Sequence, residues 1–171
     1  MSNWAFKQYL VAAARAATWP IPPSAAKVAY LQKTSFARVE GDEPEESIPA
    51  SDFPFCFVSI PDMEEQRKTA DPNGTGSIKI QTAPAHLFVY VQGFVADWKA
   101  INEYFDCLVD GTMAYFRTNV SPSTAQVTLS PNDHLLAAGL TVRSRIGKTT
   151  RTEQGLHKRA TIEVHLLGSI V

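Results

Sequence analysis

Hydrophobic and polar positions divide the chain into stretches with two different periods. Phe6, Leu10, Ala13, Ala14 and Ala17 recur at the spacing of one helical face. They predict a first helix from a Ser2 or Asn3 cap to about Thr18. Trp19-Pro20-Ile21-Pro22-Pro23 stops it, because proline brings no amide hydrogen and clashes with the preceding turn. Ser24 reopens a short helix through Val28 and Leu31.

The period then changes. Phe55 to Ile60 is an apolar run ended by Pro61-Asp62 and reads as a buried strand, whereas Glu64 to Lys68 is too polar to assign. Asp71-Pro72-Asn73-Gly74-Thr75-Gly76 is a turn that leads into an alternating strand at Ile78 and Ile80. His86 to Val91 is a further strand, with the highest β-propensity in the chain. Asp97 caps a long amphipathic helix. Trp98, Ile101, Phe105, Leu108 and Thr112 descend its core face, widened by Cys107, Val109 and Met113. Lys99, Asn102, Glu103, Asp106 and Asp110 take the other side. Gly111 weakens this helix by about 1 kcal/mol relative to Ala and marks a bend or an early end. Gln126 to Leu129, Leu140 to Arg143 and Ala160 to Leu166 complete the strands.

The order of helix, loop, strands, helix and strands predicts an α+β fold: a mostly antiparallel sheet, with the N-terminal helix and one long amphipathic helix packed on one face. The length of 171 residues suits a single domain spanning 1–171. Hydrophobic residues are 44% and charged residues 19%, which excludes a disordered composition. A net charge of −1 provides no global attraction for nucleic acid or anionic membrane. Cys56 and Cys107 lie in apolar surroundings and read as buried free thiols in a reducing compartment. No stretch is apolar for long enough to span a membrane. The Ala-rich N-terminus, interrupted by Lys7 and Arg15, reads as a native helix of a cytoplasmic protein and not as a signal peptide.

Candidate chemistry is sparse. Gly147-Lys148-Thr149-Thr150 imitates the end of a phosphate-binding loop, but Val142 stands where its first glycine belongs. Asp71, Asn73, Thr75 and Gly76 follow the first half of a calcium loop, yet Lys79 and Thr82 stand at the ninth and twelfth positions. His86, His134, His157 and His165 share no metal-binding spacing. No nucleophile elbow is present. Neither catalysis nor a cofactor is expected.

Charge is distributed unevenly. Nine acids lie between residues 40 and 65, six of them (Glu40, Asp42, Glu43, Glu45, Glu46 and Asp52) in a Pro-rich stretch at about 40–54 that reads as an exposed loop unable to pack a core. Arg143, Arg145, Lys148, Arg151, Lys158 and Arg159 face only Glu153 between 143 and 159. Two complementary patches on opposite edges of a subunit would suit a head-to-tail contact. Glu43, Glu45, Glu46, Asp52 and the six bases are therefore the candidate interface. The bland alternative is two solvated loops. A nucleic-acid role for the basic hairpin is a third, weakened by the lack of interleaved aromatics.

The element order resembles that of bacteriophage tail-completion proteins, in particular tail terminators. The resemblance rests on an N-terminal helix, a strand like Phe53 to Val58, a strand like His86 to Val91 running into a helix like Asp97 to Phe116, and a closing strand like Ala160 to Leu167. It covers most of the chain as a pattern and contains no diagnostic motif. The acidic loop departs from it. The resemblance implies a non-enzymatic virion protein, assembled in the host cytoplasm, that forms a homo-oligomeric ring, commonly a hexamer. Such a ring caps the tail tube and joins it to the head and neck. The implied partners are other copies of the chain, the tail tube protein, neck or connector proteins and DNA passing through the lumen, with no membrane. A head-completion or neck connector protein, and a small ligand-binding or enzymatic domain, are the alternatives.

Overall fold

A computed structural model describes residues 3–61, 64–69, 77–119, 126–130, 133–153 and 155–170. Ser2, Asp62 and the calcium-like turn at 71–76 lie outside the described residues, as does the side chain of His134. The elements in chain order are α1 (Asn3–Ala16), β1 (Arg38–Glu40), β2 (Phe55–Ser59), β3 (Glu64–Thr69), β4 (Ser77–Gly93), α2 (Trp98–Asn119), β5 (Gln126–Ser130), β6 (Asp133–Ile146), β7 (Thr150–Thr152) and β8 (Gly155–Ile170). The strands form one sheet in the order β1-β2-β4-β8-β6-β5. β3 continues the β2 side of β4, and β7 pairs with the start of β8. Among the described strands, only β1 and β2 run parallel. The fold is α+β with a mostly antiparallel sheet, as the patterning predicts.

Two long strands organise this sheet. β4 and β8 pair without a break from Lys79↔Ile170 to Gly93↔Leu156. Ile78 and Ile80 therefore belong to the same strand as His86 to Val91, not to a separate one. Pro84 does not break it. On the other edge of β4, β3 pairs with residues 77–82 and β2 with 86–90. Proline lacks a ladder donor, and Pro84 falls in the interval between those partners. The polar segment from Glu64 forms β3, an edge position where charged side chains are tolerated.

Alternation along the strands assigns the two faces. Ala85, Leu87, Val89 and Val91 of β4, Cys56 and Val58 of β2, and Ala160, Ile162 and Val164 of β8 are buried on one face. Ile101, Phe105, Leu108 and Phe116 of α2 and Leu10, Val11 and Ala14 of α1 belong to the same core. α2 lies over β4, β6 and β8, while α1 touches β1 and β2 near one edge and β5 at the other. Tyr104 is fully buried because its polar end is satisfied: its hydroxyl donates to the Lys33 carbonyl at 2.6 Å. Trp19 Nε1 donates to that same oxygen at 3.1 Å.

Four local expectations are corrected. The helix expected from Ser24 to Leu31 is two separate 3-10 turns, Pro23–Ala25 and Ala29–Leu31, because Val28 between them is extended. Asp97 ends a 3-10 turn ahead of α2, and its carboxylate accepts a 2.6 Å hydrogen bond from the Tyr30 hydroxyl. Burial and that bond push the Tyr30 hydroxyl up to about 12. Gly111 neither bends nor ends α2, which continues to Asn119. A Cβ there would come within 2.7 Å of the Thr18 carbonyl and the Trp19 side chain, so glycine allows the chain after α1 to cross the helix. Trp98 is not in the core but 54% exposed.

Candidate functional site

The face of the sheet turned away from the helices holds the principal groove. Phe55 and Phe57 of β2 stand opposite Tyr90 and Phe88 of β4, and these in turn stand opposite Arg159 and Thr161 of β8. Phe57 stacks on Phe88 with centroids 4.7 Å apart and on Tyr90 at 6.0 Å. Phe55 lies 6.1 Å from Tyr90. Phe57, Phe88 and Tyr90 floor a groove of about 680 Å³, walled by Asp42 and Glu43 on the β1–β2 side and by Arg145, Gly147 and Arg159 on the other. The Gly147 amide donates to the Arg159 carbonyl at 2.9 Å, which holds the β6 end against β8. Tyr90 senses both walls. Burial raises its hydroxyl pKa, Glu43 raises it further and Arg159 opposes them.

The acidic loop does more than meet solvent. Pro44, Ile48 and Phe53 lie against Phe55, Phe57 and Tyr90 around a depression of about 190 Å³, and Phe55 is left only 2% exposed on a face that no helix covers. The loop is anchored near its ends. Lys7 pairs with Asp42 at 2.5 Å, and Arg38 reaches Glu40 at 2.6 Å and Asp52 at 3.1 Å. Lys33 Nζ donates to the Ser51 carbonyl and, at 2.9 Å, to that of Phe53. The loop is largely exposed and adds nothing to the core, as expected, while Pro44, Ile48 and Phe53 stand half-buried beside the Phe55, Phe57 and Tyr90 rings.

The ten candidate interface residues divide into three groups. Glu43, Arg145 and Arg159 line the groove together, so acidic and basic segments meet on one face and do not mark opposite edges. Glu45 and Glu46 are exposed beside Lys7 and Arg38 around a second depression of about 650 Å³, and Arg143, Lys148 and Arg151 are exposed on β6, the following loop and β7. Asp52 and Lys158 are engaged within the chain. Asp52 holds Arg38. Lys158 turns to the helix side, donating to Asn102 Oδ1 at 2.7 Å and lying 5.0 Å over the Phe105 ring. Arg145 also approaches Glu163 at 3.9 Å.

The aromatic floor was hidden from sequence reasoning because its members come from strands far apart in the chain. Their alternation was the available signal: Phe55 and Phe57, then Phe88 and Tyr90, sit at strand spacing. Two further aromatics were missed. Phe94 is 63% and Trp98 54% exposed at the junction of β4 and α2, with Phe94 edge-on to Tyr30 at 5.5 Å. Among the cysteines, Cys56 is buried, which pushes its thiol strongly up. Cys107 is half-buried, not buried as expected, and its thiol is raised by burial and then by Asp110, Asp106 and Glu103. Among the described residues, no three His, Cys, Asp or Glu side chains are placed to hold a metal, and no helix is long and apolar enough to cross a membrane.

No protein-family description matches the chain, and no curated protein does. Among solved structures, a chain described as the virion of native gene transfer agent (GTA) particle aligns with 94% of this chain and 98% of its own length, at 18% identity and a TM-score of 0.33. A likeness of that size says nothing about function.

Proposed function

We infer that this protein is a non-catalytic assembly subunit of a tailed-phage virion, and specifically a ring-forming tail terminator that caps the tail tube and joins it to the neck. One observation carries the reading. The helices cover one face of the sheet, and the other presents aromatic rings between walls of opposite charge. A desolvated aromatic centre with a charged rim is the make-up of a protein contact. The terminator assignment adds the element order described above, in which a strand runs directly into the long helix and a closing strand completes the sheet.

On this reading the work is geometric. One surface of a ring matches the last ring of the tube and the other does not, so no further ring adds. The exposed charges Glu45, Glu46, Arg143, Lys148 and Arg151 supply rim contacts to neighbouring copies, tube or neck, and salt weakens them. No catalytic residue or cofactor is required. Electron microscopy of particles made with and without the protein provides the test. Omitting it should give tails of uncontrolled length, or capped tails that fail to join heads. Normal joined particles in its absence would overturn the reading.

A further inference from the structure

The basic segment from Arg143 to Arg159 contains no Phe, Tyr or Trp, but the sheet brings rings to it from β4. Register places Phe88 opposite Thr161 of β8, and Thr161 opposite Arg145 of β6. In the row on one side Tyr90 stands opposite Arg159; in the row on the other, His86, Glu163 and Arg143 stand in line. The rings on β4 and the arginines on β6 therefore run in two lines, two strand spacings or about 10 Å apart. Each line repeats at about 7 Å, the length of two strand residues. Between the lines Thr161 is short and leaves a trough. Phe57 stacks on Phe88 from the β2 side, 4.7 Å away and within 19° of parallel, so the other face of Phe88 is turned toward the arginines. Arg145 is 82% exposed, with its guanidinium 3.9 Å from Glu163, and Arg143 and Arg159 are exposed too.

We propose that this face binds single-stranded nucleic acid, with bases laid against Phe88 and Tyr90 and phosphates held by Arg143, Arg145 and Arg159. A nucleotide has the same two parts as the trough requires: a flat base with a π face, and an anion behind it. Stacking on a side chain needs an unpaired base, because a duplex already covers both faces of each base; the guest is therefore a single strand. Three arginines outnumber the one phosphate of a free nucleotide and suit successive phosphates of a chain. The acidic wall sets the orientation. Asp42 already holds Lys7. Glu43 stands on the β1–β2 side of the groove, where it repels phosphate and keeps the backbone on the arginine side. The proposal goes beyond the assembly reading: it concerns the free chain, and a protein partner covering the open face would displace the strand.

The test is fluorescence anisotropy of a short labelled oligothymidylate titrated with the full chain. With three phosphates neutralised, raising salt from 50 to 200 mM should weaken binding about twentyfold. Phe88→Leu keeps an apolar side chain but loses the flat face and should weaken binding about tenfold, while Phe88→Tyr keeps the ring and should bind within about twofold of wild type. Arg145→Gln, at an exposed position, should weaken binding and reduce the salt slope by about a third. Glu43→Gln should tighten it, the reverse of what a protein contact made by that carboxylate would give. Melting curves check that every variant is folded, and Arg145→Gln keeps the test decisive if Phe88→Leu is not. A blunt duplex carrying the same thymidines should bind at least about tenfold more weakly, and thymidine monophosphate should compete only at far higher concentration. No binding at low salt, a duplex bound as well as the single strand, a monophosphate as effective as the oligonucleotide, or affinity indifferent to Phe88→Leu and Arg145→Gln would each overturn the proposal. It is also overturned, and the face assigned to a protein partner, if the oligonucleotide is ignored while native mass rises with concentration and Phe88→Leu reverses that rise. The terminator role is decided separately, by whether virions form normally without the protein.

Discussion

On one side of β4, Ala85, Leu87, Val89 and Val91 are shut away beneath α1 and α2. One residue along each time, His86, Phe88, Tyr90 and Gln92 meet a loop, a groove and solvent and are only half-buried. The same strand, with the same backbone hydrogen bonds, thus carries two kinds of side chain. The helix side contains small and branched aliphatics that pack at interior density, where a missing methyl is felt. The open side contains flat rings and long cations, which can exchange neighbours without leaving a void. Stability should therefore reside on the first side, and recognition on the second.

The largest expected contrast is between two phenylalanines. Phe105→Ala, on the helix side, should cost about 3–5 kcal/mol in denaturant unfolding. Phe88→Ala, on the open side, should cost about 1 kcal/mol. Equal losses would mean that the open face is core after all. Next comes Gly111→Ala. Helix propensity alone would favour it by about 1 kcal/mol, but the added Cβ meets the Thr18 carbonyl at 2.7 Å. The outcome should be a net loss of about 1–3 kcal/mol, as in other overpacked sites; a more stable variant would mean that the α1–α2 crossing is loose.

Smaller still is Tyr104→Phe, at about 1 kcal/mol, because the Lys33 carbonyl keeps its bond from Trp19. That variant also has a pH signature. Burial raises the Tyr104 hydroxyl from 10.0 to about 12. A raised folded value gives stability that is complete below pH 10 and lost as pH rises through 12. Urea unfolding across that window should fall more steeply for wild type than for Tyr104→Phe, while Tyr30, shifted in the same direction, keeps part of the slope in both. The smallest effect on folding is expected for Arg145→Glu, within about 0.5 kcal/mol. Its consequence should appear in low-salt native mass, and a large drop in melting temperature would show that the groove wall is structural.

The helix side was the legible one. Ile101, Phe105 and Leu108, and Leu10 with Ala14, repeat at helical spacing within a single segment, so their shared face is written locally. Trp98 has the right phase and is nevertheless exposed, because α2 begins there and periodicity does not say where along the helix the core starts. The length of β4 was obscured by Pro84, whose cost depends on what pairs beside it, a fact of tertiary structure. β3 was obscured by its charges, which a sheet edge accepts. The groove was least legible. Its walls come from residues 42–43 and 145–161 and its floor from 57–90, and only strand order brings them together.

Gly93 closes β4 five residues before α2 begins at Trp98. A side chain there would collide with Ile101 and Tyr30 at 2.6 Å, and the Tyr30 hydroxyl grips both the Phe94 amide and Asp97. Strand and helix meet at a joint with almost no play. Whatever grips the sheet on one side and the helix on the other inherits the tilt set at that joint. The angle between strand and helix is thus decided by a residue whose contribution is to have no side chain.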